Sequence, residues 1–233
     1  MAEAPPVEAA PFWRQFPVRA ALAALPYVPR IPAARLESLF PGIGELEIRI
    51  RHETRDRALN HGEAFALSLI AAFVQPRRIF EIGTASGQAT WLMGRQAQQA
   101  QIDTMDLGNH APSLGQQRGQ PPWQDLSQIG IAFRGTELEP RVTQHFADSA
   151  QFDYGPFRGA IDLMLVDGGH TYEYVKHDSS AALELMRPGG VIVWDDCNYI
   201  SPGVSRALHE LRAGGTPVYR VIGTRLAVAR LPA

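Results

Sequence analysis

Short apolar runs and amphipathic stretches alternate along most of the chain, with polar or glycine-rich turns between them. Ile79 to Ile82 reads as a strand that runs into a turn with glycines at 83 and 87. A helical pattern follows, with Ala89, Trp91, Leu92 and Met93 as its apolar residues. Upstream, Gly62 to Val74 reads as a buried helix that Pro76 stops just before that strand. Downstream, Gln101 to Met105, Arg141 to Phe146, Ile161 to Val166 and Val191 to Trp194 read as further strands. A helix over Tyr172 to Met186, closed by Arg187-Pro188-Gly189-Gly190, separates the last two. Leu126 to Phe133 is expected as a short helix, and Val204 to Leu211 as another. The closing strands, Val218 to Ile222 and Leu226 to Ala229, are joined by Gly223-Thr224-Arg225 and must be antiparallel. Such alternation predicts an α/β, Rossmann-like, doubly wound sheet of seven strands with one antiparallel strand.

The first residues break this rhythm. Pro5, Pro6, Pro11, Pro17, Pro26, Pro29 and Pro32 interrupt any long element. Residues 1–40 are therefore expected to be a proline-rich arm, with one short helix between Pro17 and Pro26, and residues 41–233 the domain. Phe12, Trp13 and Phe16 are too apolar for an idle tail, and predict packing on the domain or on a second copy of the chain. Residues 43–57 mix Arg49, Arg51, Arg55 and Arg57 with Glu45, Glu47, Glu53 and Asp56, a pattern of a solvated face. Gly108 to Pro122 is rich in Gly, Pro and Gln and reads as a loop above the carboxyl ends of the strands.

Charge and composition narrow the function. A formal charge of −2 gives no general field for nucleic acid or an anionic membrane. No apolar run reaches membrane-spanning length, and Glu3 and Glu8 stand where a signal peptide would be positive. A single cysteine, Cys197, excludes an internal disulfide and suits a reducing, cytoplasmic setting.

Candidate chemistry lies at the strand ends. The turn Gly83-Thr84-Ala85-Ser86-Gly87 puts backbone N–H groups and a helix N-terminus beside a ligand. Ala85 holds the position where a dinucleotide fingerprint needs its middle glycine, and Glu81 is poor for binding a phosphate. Asp106, about 20 residues past the glycine turn, is placed to accept both hydroxyls of a ribose. Asp167 and the pair Asp195–Asp196 each end a strand. Three converging carboxylates either surround a hard cation such as Mg²⁺, or divide into a loop cap and a partner for an arginine or cofactor. His170, three residues after Asp167 at a helix start, is a candidate proton acceptor.

The stretch from Glu81 to Gly87 resembles motif I of the class I S-adenosylmethionine-dependent methyltransferases. Asp167-Gly-Gly-His170-Thr-Tyr, Arg187-Pro-Gly-Gly and Trp194-Asp-Asp resemble the methyltransferase-24 family and the magnesium-dependent macrocin- and mycinamicin-type sugar O-methyltransferases, over about residues 60 to 230. The resemblance implies that Glu81, the loop from Gly83 through Thr84, Ala85 and Ser86 to Gly87, Asp106, Leu107 and Asp167 contact S-adenosylmethionine. It implies also that Asp148 and Ser149 face the adenine, that Asp167, Asp195 and Asp196 bind Mg²⁺, and that His170 acts as base. The acceptor is then a hydroxyl of a small molecule, a sugar or natural product. A metal-independent methyltransferase, a nicotinamide-dependent oxidoreductase and a nonenzymatic adapter are the other readings.

Overall fold

Central strands buried almost without a break, whose successive side chains point to opposite faces, build one sheet with a core on both sides. The computed structural model describes residues 31–48, 50, 59–114 and 125–233. The expected helix between Pro17 and Pro26, most of the mixed-charge stretch and residues 115–122 of the glycine-rich loop lie outside the described residues.

Among the described residues, eight strands form the sheet: β1 (Ala33–Ala34), β2 (Arg78–Ile82), β3 (Gln101–Asp106), β4 (Val142–Phe146), β5 (Ile161–Val166), β6 (Met186–Trp194), β7 (Tyr219–Val221) and β8 (Ala227–Arg230). Their order is β1-β7-β8-β6-β5-β2-β3-β4. Every pairing is parallel except those of β8 with β6 and β7. The helices are α1 (Leu36–Leu39), α2 (His61–Val74), α3 (Gln88–Gln96), α4 (Tyr172–Leu185) and α5 (Pro202–Ala213).

Ile79, Leu163, Leu165, Val191 and Val193 point to the face covered by α2 and α3. Their neighbours Phe80, Ile82, Met164, Val166, Ile192 and Trp194 point to the face covered by α4 and α5. Burying each such side chain contributes about 1.5–3 kcal/mol, which is why the register of the central strands is held so firmly.

Three details depart from the sequence pattern. The sheet has eight strands rather than seven, because Ala33–Ala34 adds to the edge of β7. Ile31 and Phe40, on either side of this strand, are buried in the core. An exposed edge needs only two ladder residues to be covered, too short a run for periodicity to reveal. The segment Leu126–Gln128 is a single 3-10 turn, followed by turns rather than the expected helix. Gly130, at φ 74, stops any longer run. Finally, α4 ends at Leu185 and passes directly into β6, with Arg187–Gly190 as a bulge between the pairs Ile161–Met186 and Leu163–Val191. Asp162 interrupts the apolar run of β5 yet is buried. Its Oδ2 accepts from the backbone N–H groups of Arg77 (2.7 Å) and Arg78 (2.8 Å), and Arg187 pairs with the other oxygen.

The direction of strand order reverses between β2, which continues to β3 and β4, and β5, which continues to β6. Outside the carboxyl ends of these strands lies the crevice where open α/β sheets bind ligands.

Candidate active site

β2 leaves the sheet at Gly83, whose φ of 104 is open only to glycine. The N–H groups of Gly83 and Thr84 both donate to Met105 O, tying the loop to the end of β3. A Cβ on Gly83 would lie 2.0 Å from the carbonyl oxygen of Asp167, so this loop and the end of β5 are in direct backbone contact. Gly87, at φ 79, starts α3, and a Cβ there would lie 2.6 Å from the ring of Phe133. The Phe133 ring therefore packs directly on the Gly87 backbone.

Glu81 is fully buried. Its Oε2 accepts from Thr90 and from Thr104 Oγ1 (2.5 Å), while Oε1 has no partner among the described residues. Burial pushes its pKa up to about 7, against the lowering effect of the two threonines. Thr84 is buried under the loop, its hydroxyl 2.8 Å from that of Thr104 and accepting from Gln144. Asp106 ends β3 with Oδ2 accepting from Ala85 N–H at 2.9 Å and Oδ1 accepting from Gly108 N–H at 3.3 Å. Ala85 itself sits at φ 46, and the bond from Asp106 holds this left-handed residue in place. Leu107 follows, half-buried, and its carbonyl accepts from His110.

At the end of β4, Asp148 caps the turn Ser149–Gln151. One oxygen accepts from Ser113 N–H (2.8 Å); the other accepts from Tyr174 Oη (2.9 Å) and Ala150 N–H (3.1 Å). Burial raises its pKa, but these hydrogen bonds outweigh it and hold the group below the usual carboxylate range. Ser149 is buried beside it. In this conformation the Asp148 carboxylate is committed to residue 113 of the glycine-rich loop.

The neighbouring strands β5 and β6, paired through Val166 and Trp194, bring the second group together. Among the described residues, ligand atoms of Asp167, His170 and Asp196 lie within 4.8 Å of one another. His170 Nε2 is 3.1 Å from Asp196 Oδ2 and 4.0 Å from Asp167 Oδ1. Asp196 is held at φ 57, a strained value for a residue with a Cβ, which turns its carboxylate toward His170. Asp195 is directed elsewhere: Oδ1 accepts from Asp196 N–H (2.7 Å) and Oδ2 faces Arg225 Nη2 (3.4 Å). Burial, then the adjacent Asp195 and Asp196 charges, raise Asp167 well above the ordinary carboxylate range. Asp195 is pushed up to about 7 by burial and by Asp196, with Arg225 opposing. Burial lowers the pKa of His170, against the pull of Asp196, which favours the neutral imidazole.

Arg225 is the residue that the sequence pattern missed. It sits in the link between β7 and β8 and contacts Glu63, Asp195 and Asp196. A basic residue in a hairpin link carries no local signal, and Glu63 lies 162 positions away. Cys197 is buried, and burial raises its thiol to about 12, as suits a packing residue. Trp194 is wholly buried and donates to Ser179, so it belongs to the core; Tyr172 stacks against Arg206 on the surface, and Tyr199 is exposed.

The donor sets fit two groups. A buried carboxylate oxygen without a partner among the described residues, below a turn that starts a helix, and a carboxylate at the end of β3 suit the cationic and hydroxyl-bearing parts of S-adenosylmethionine. Two carboxylates beside a neutral imidazole suit a divalent cation.

This sheet order, with one reversed strand and its chemistry at the β2, β3, β5 and β6 ends, defines an S-adenosylmethionine-dependent methyltransferase of the Rossmann-like class. The chain belongs to the methyltransferase-24 family, described as a methyltransferase domain, whose profile matches residues 80–197. A comparison with curated proteins finds no match. Among solved structures it is similar to the O-methyltransferase TomG from Streptomyces achromogenes, involved in tomaymycin synthesis and in complex with S-adenosylmethionine. That pair is 20% identical, covers 97% of this chain and 100% of the other, and has a TM-score of 0.55. An O-methyltransferase from Bacillus cereus, in complex with S-adenosylhomocysteine, is 18% identical over 76% of this chain and 84% of its own, with a TM-score of 0.56. Cofactor-bound Rv0187 from MTB is 21% identical over 77% and 84%, with a TM-score of 0.55.

Proposed function

We propose that this methyltransferase is an O-methyltransferase that moves a methyl group to a hydroxyl of a small molecule, a sugar or natural product, with the help of Mg²⁺. The observation that carries this reading is the cluster of Asp167, His170 and Asp196, in which Asp167 is in backbone contact with the glycine turn. The O-methyltransferase neighbours support the oxygen acceptor. No helix among the described residues is long and apolar enough to cross a membrane.

Bound S-adenosylmethionine supplies an electrophilic methyl on a sulfonium, and a bound Mg²⁺ lowers the pKa of the acceptor hydroxyl. The chain does the rest. Asp106 would accept from the ribose hydroxyls, and Glu81 Oε1, buried without a partner among the described residues, would be available to the cofactor. Asp167 and Asp196 hold the cation. Asp196 also orients the His170 ring, which is neutral and takes the proton that leaves the acceptor hydroxyl. Asp148 serves the adenine once Ser113 releases it.

The test is methyl transfer from labelled S-adenosylmethionine to a panel of hydroxylated acceptors, with S-adenosylhomocysteine affinity measured in parallel. Chelation is expected to abolish transfer while leaving that affinity within about twofold, because cation and cofactor use separate residues apart from Asp167. His170→Ala is expected to lower turnover by about 10²–10⁴-fold with both binding sites intact. Undiminished transfer after exhaustive chelation would favour a metal-independent methyltransferase, in which the carboxylates only hydrogen-bond the acceptor.

A further inference from the structure

Arg225 presents its guanidinium to three carboxylates at once. Nε lies 2.7 Å from Glu63 Oε1, Nη2 lies 2.9 Å from Glu63 Oε2 and 3.4 Å from Asp195 Oδ2, and Nη1 lies 3.1 Å from Asp196 Oδ1. Its backbone is fixed as well: the N–H donates to Glu63 Oε1 (3.2 Å), and the carbonyl accepts from Cys197 N–H (2.8 Å). Glu63 is fully buried and is anchored independently, because Oε2 accepts from Asn60 N–H at 2.9 Å in the capping box of α2. The forked ion pair with a fixed, buried carboxylate therefore holds the guanidinium in one orientation.

We propose that Arg225 sets the affinity of the site for a divalent cation, by withdrawing Asp195 and one oxygen of Asp196 from coordination. The inference rests on the metal part of the function proposed above. With Arg225 in place, the coordinating face is Asp167 and Asp196 Oδ2, beside His170. Asp195 is turned to Arg225 and is absent from that group, although it is the immediate neighbour of Asp196 in the chain. A fixed positive charge on Asp196 also opposes a second cation on the same carboxylate. Removing Arg225 frees one carboxylate and deletes one repelling charge, and both changes act in the same direction. Divalent binding should tighten.

Replacing Arg225 alone would leave Glu63 buried and unpaired, so the informative variant is Glu63→Gln with Arg225→Met. A glutamine at this position still completes the capping box. Metal-stripped full-length protein is titrated with Mn²⁺, following heat and the free-ion paramagnetic resonance signal. The double variant is expected to bind about tenfold tighter than wild type, from the release of Asp195 and Asp196 alone, because the Glu63 and Arg225 charges are removed together. Adding Asp195→Asn to it should remove most of that gain, whereas Asp195→Asn alone should change wild-type affinity by less than about threefold. Equal or weaker binding by the double variant, or a gain that survives Asp195→Asn, overturns the role of Arg225 while the metal site stands. Failure of both wild type and double variant to bind Mn²⁺ overturns the metal reading and this inference together. Arg225→Lys keeps the charge without the fork and guards against a double variant that does not fold. It should bind Mn²⁺ severalfold tighter than wild type, and unchanged affinity would again overturn the proposal.

Discussion

Asp106 and Glu81 illustrate how much one side chain can carry at the end of a strand. Asp106 is the last residue of β3 and accepts from Ala85 N–H. Asp106→Ala is expected to weaken S-adenosylhomocysteine binding by about 10–100-fold in calorimetry, from the loss of a charged acceptor and of the loop's anchor. Glu81 makes a different prediction, about pH. Its carboxyl ionises near 4.5 in an ordinary setting and near about 7 when buried in the fold. Below pH 4.5 both folded and unfolded chains hold the proton. As pH rises the unfolded chain releases it first, so stability present below 4.5 is lost progressively up to about 7. Glu81→Gln should remove this slope in the cofactor-free protein. Between pH 4.5 and 7.5 the variant should gain about 3 kcal/mol relative to wild type in urea melts, and parallel curves would show that Glu81 does not titrate there. The places of Asp106 and Asp167 at strand ends were legible because each closes an apolar run. Arg225 was not, since its three partners come from α2 and β6 and no spacing relates them.

At the scale of elements, helix starts and strand runs were readable, and their junctions were not. The helix read from Gly62 begins at His61, and a capping box fixes that start: Asn60 Oδ1 accepts from Glu63 N–H, and Glu63 Oε2 accepts from Asn60 N–H. Asn60→Ala should cost about 1 kcal/mol in thermal or denaturant unfolding, with S-adenosylhomocysteine affinity unchanged within about twofold. Glu63 remains paired with Arg225 in that variant, so a much larger loss would mean that the cap and the ion pair act as one unit. Junctions are harder, because they answer to what packs on them. Arg187–Gly190 has the composition of a helix stop, and it does follow the end of α4, yet the sheet takes it up as a bulge in β6. Ala33–Ala34 has no strand signature at all; it pairs because the edge of β7 is open beside it.

For the molecule as a whole, the cofactor loop and the acidic group are one construction. Gly83 has no room for a side chain against the Asp167 carbonyl, and its φ is positive. Gly83→Ala should therefore both destabilise the fold, by about 3 kcal/mol or more, and weaken S-adenosylhomocysteine and Mn²⁺ binding together. Loss of only one of the two affinities would show that the loops move independently. The sequence by itself determined the α/β alternation, the reversed strand β8, the glycine turn and the carboxylates at the strand ends, because these follow from local periodicity, turn chemistry and hairpin length. Only the tertiary structure decided how the carboxylates divide: Asp167 and Asp196 beside His170, Asp195 with Arg225, and Asp148 with Ser113. That division depends on which strands are neighbours in the sheet and on which buried charge must find a partner, and both are settled by packing across distant parts of the chain.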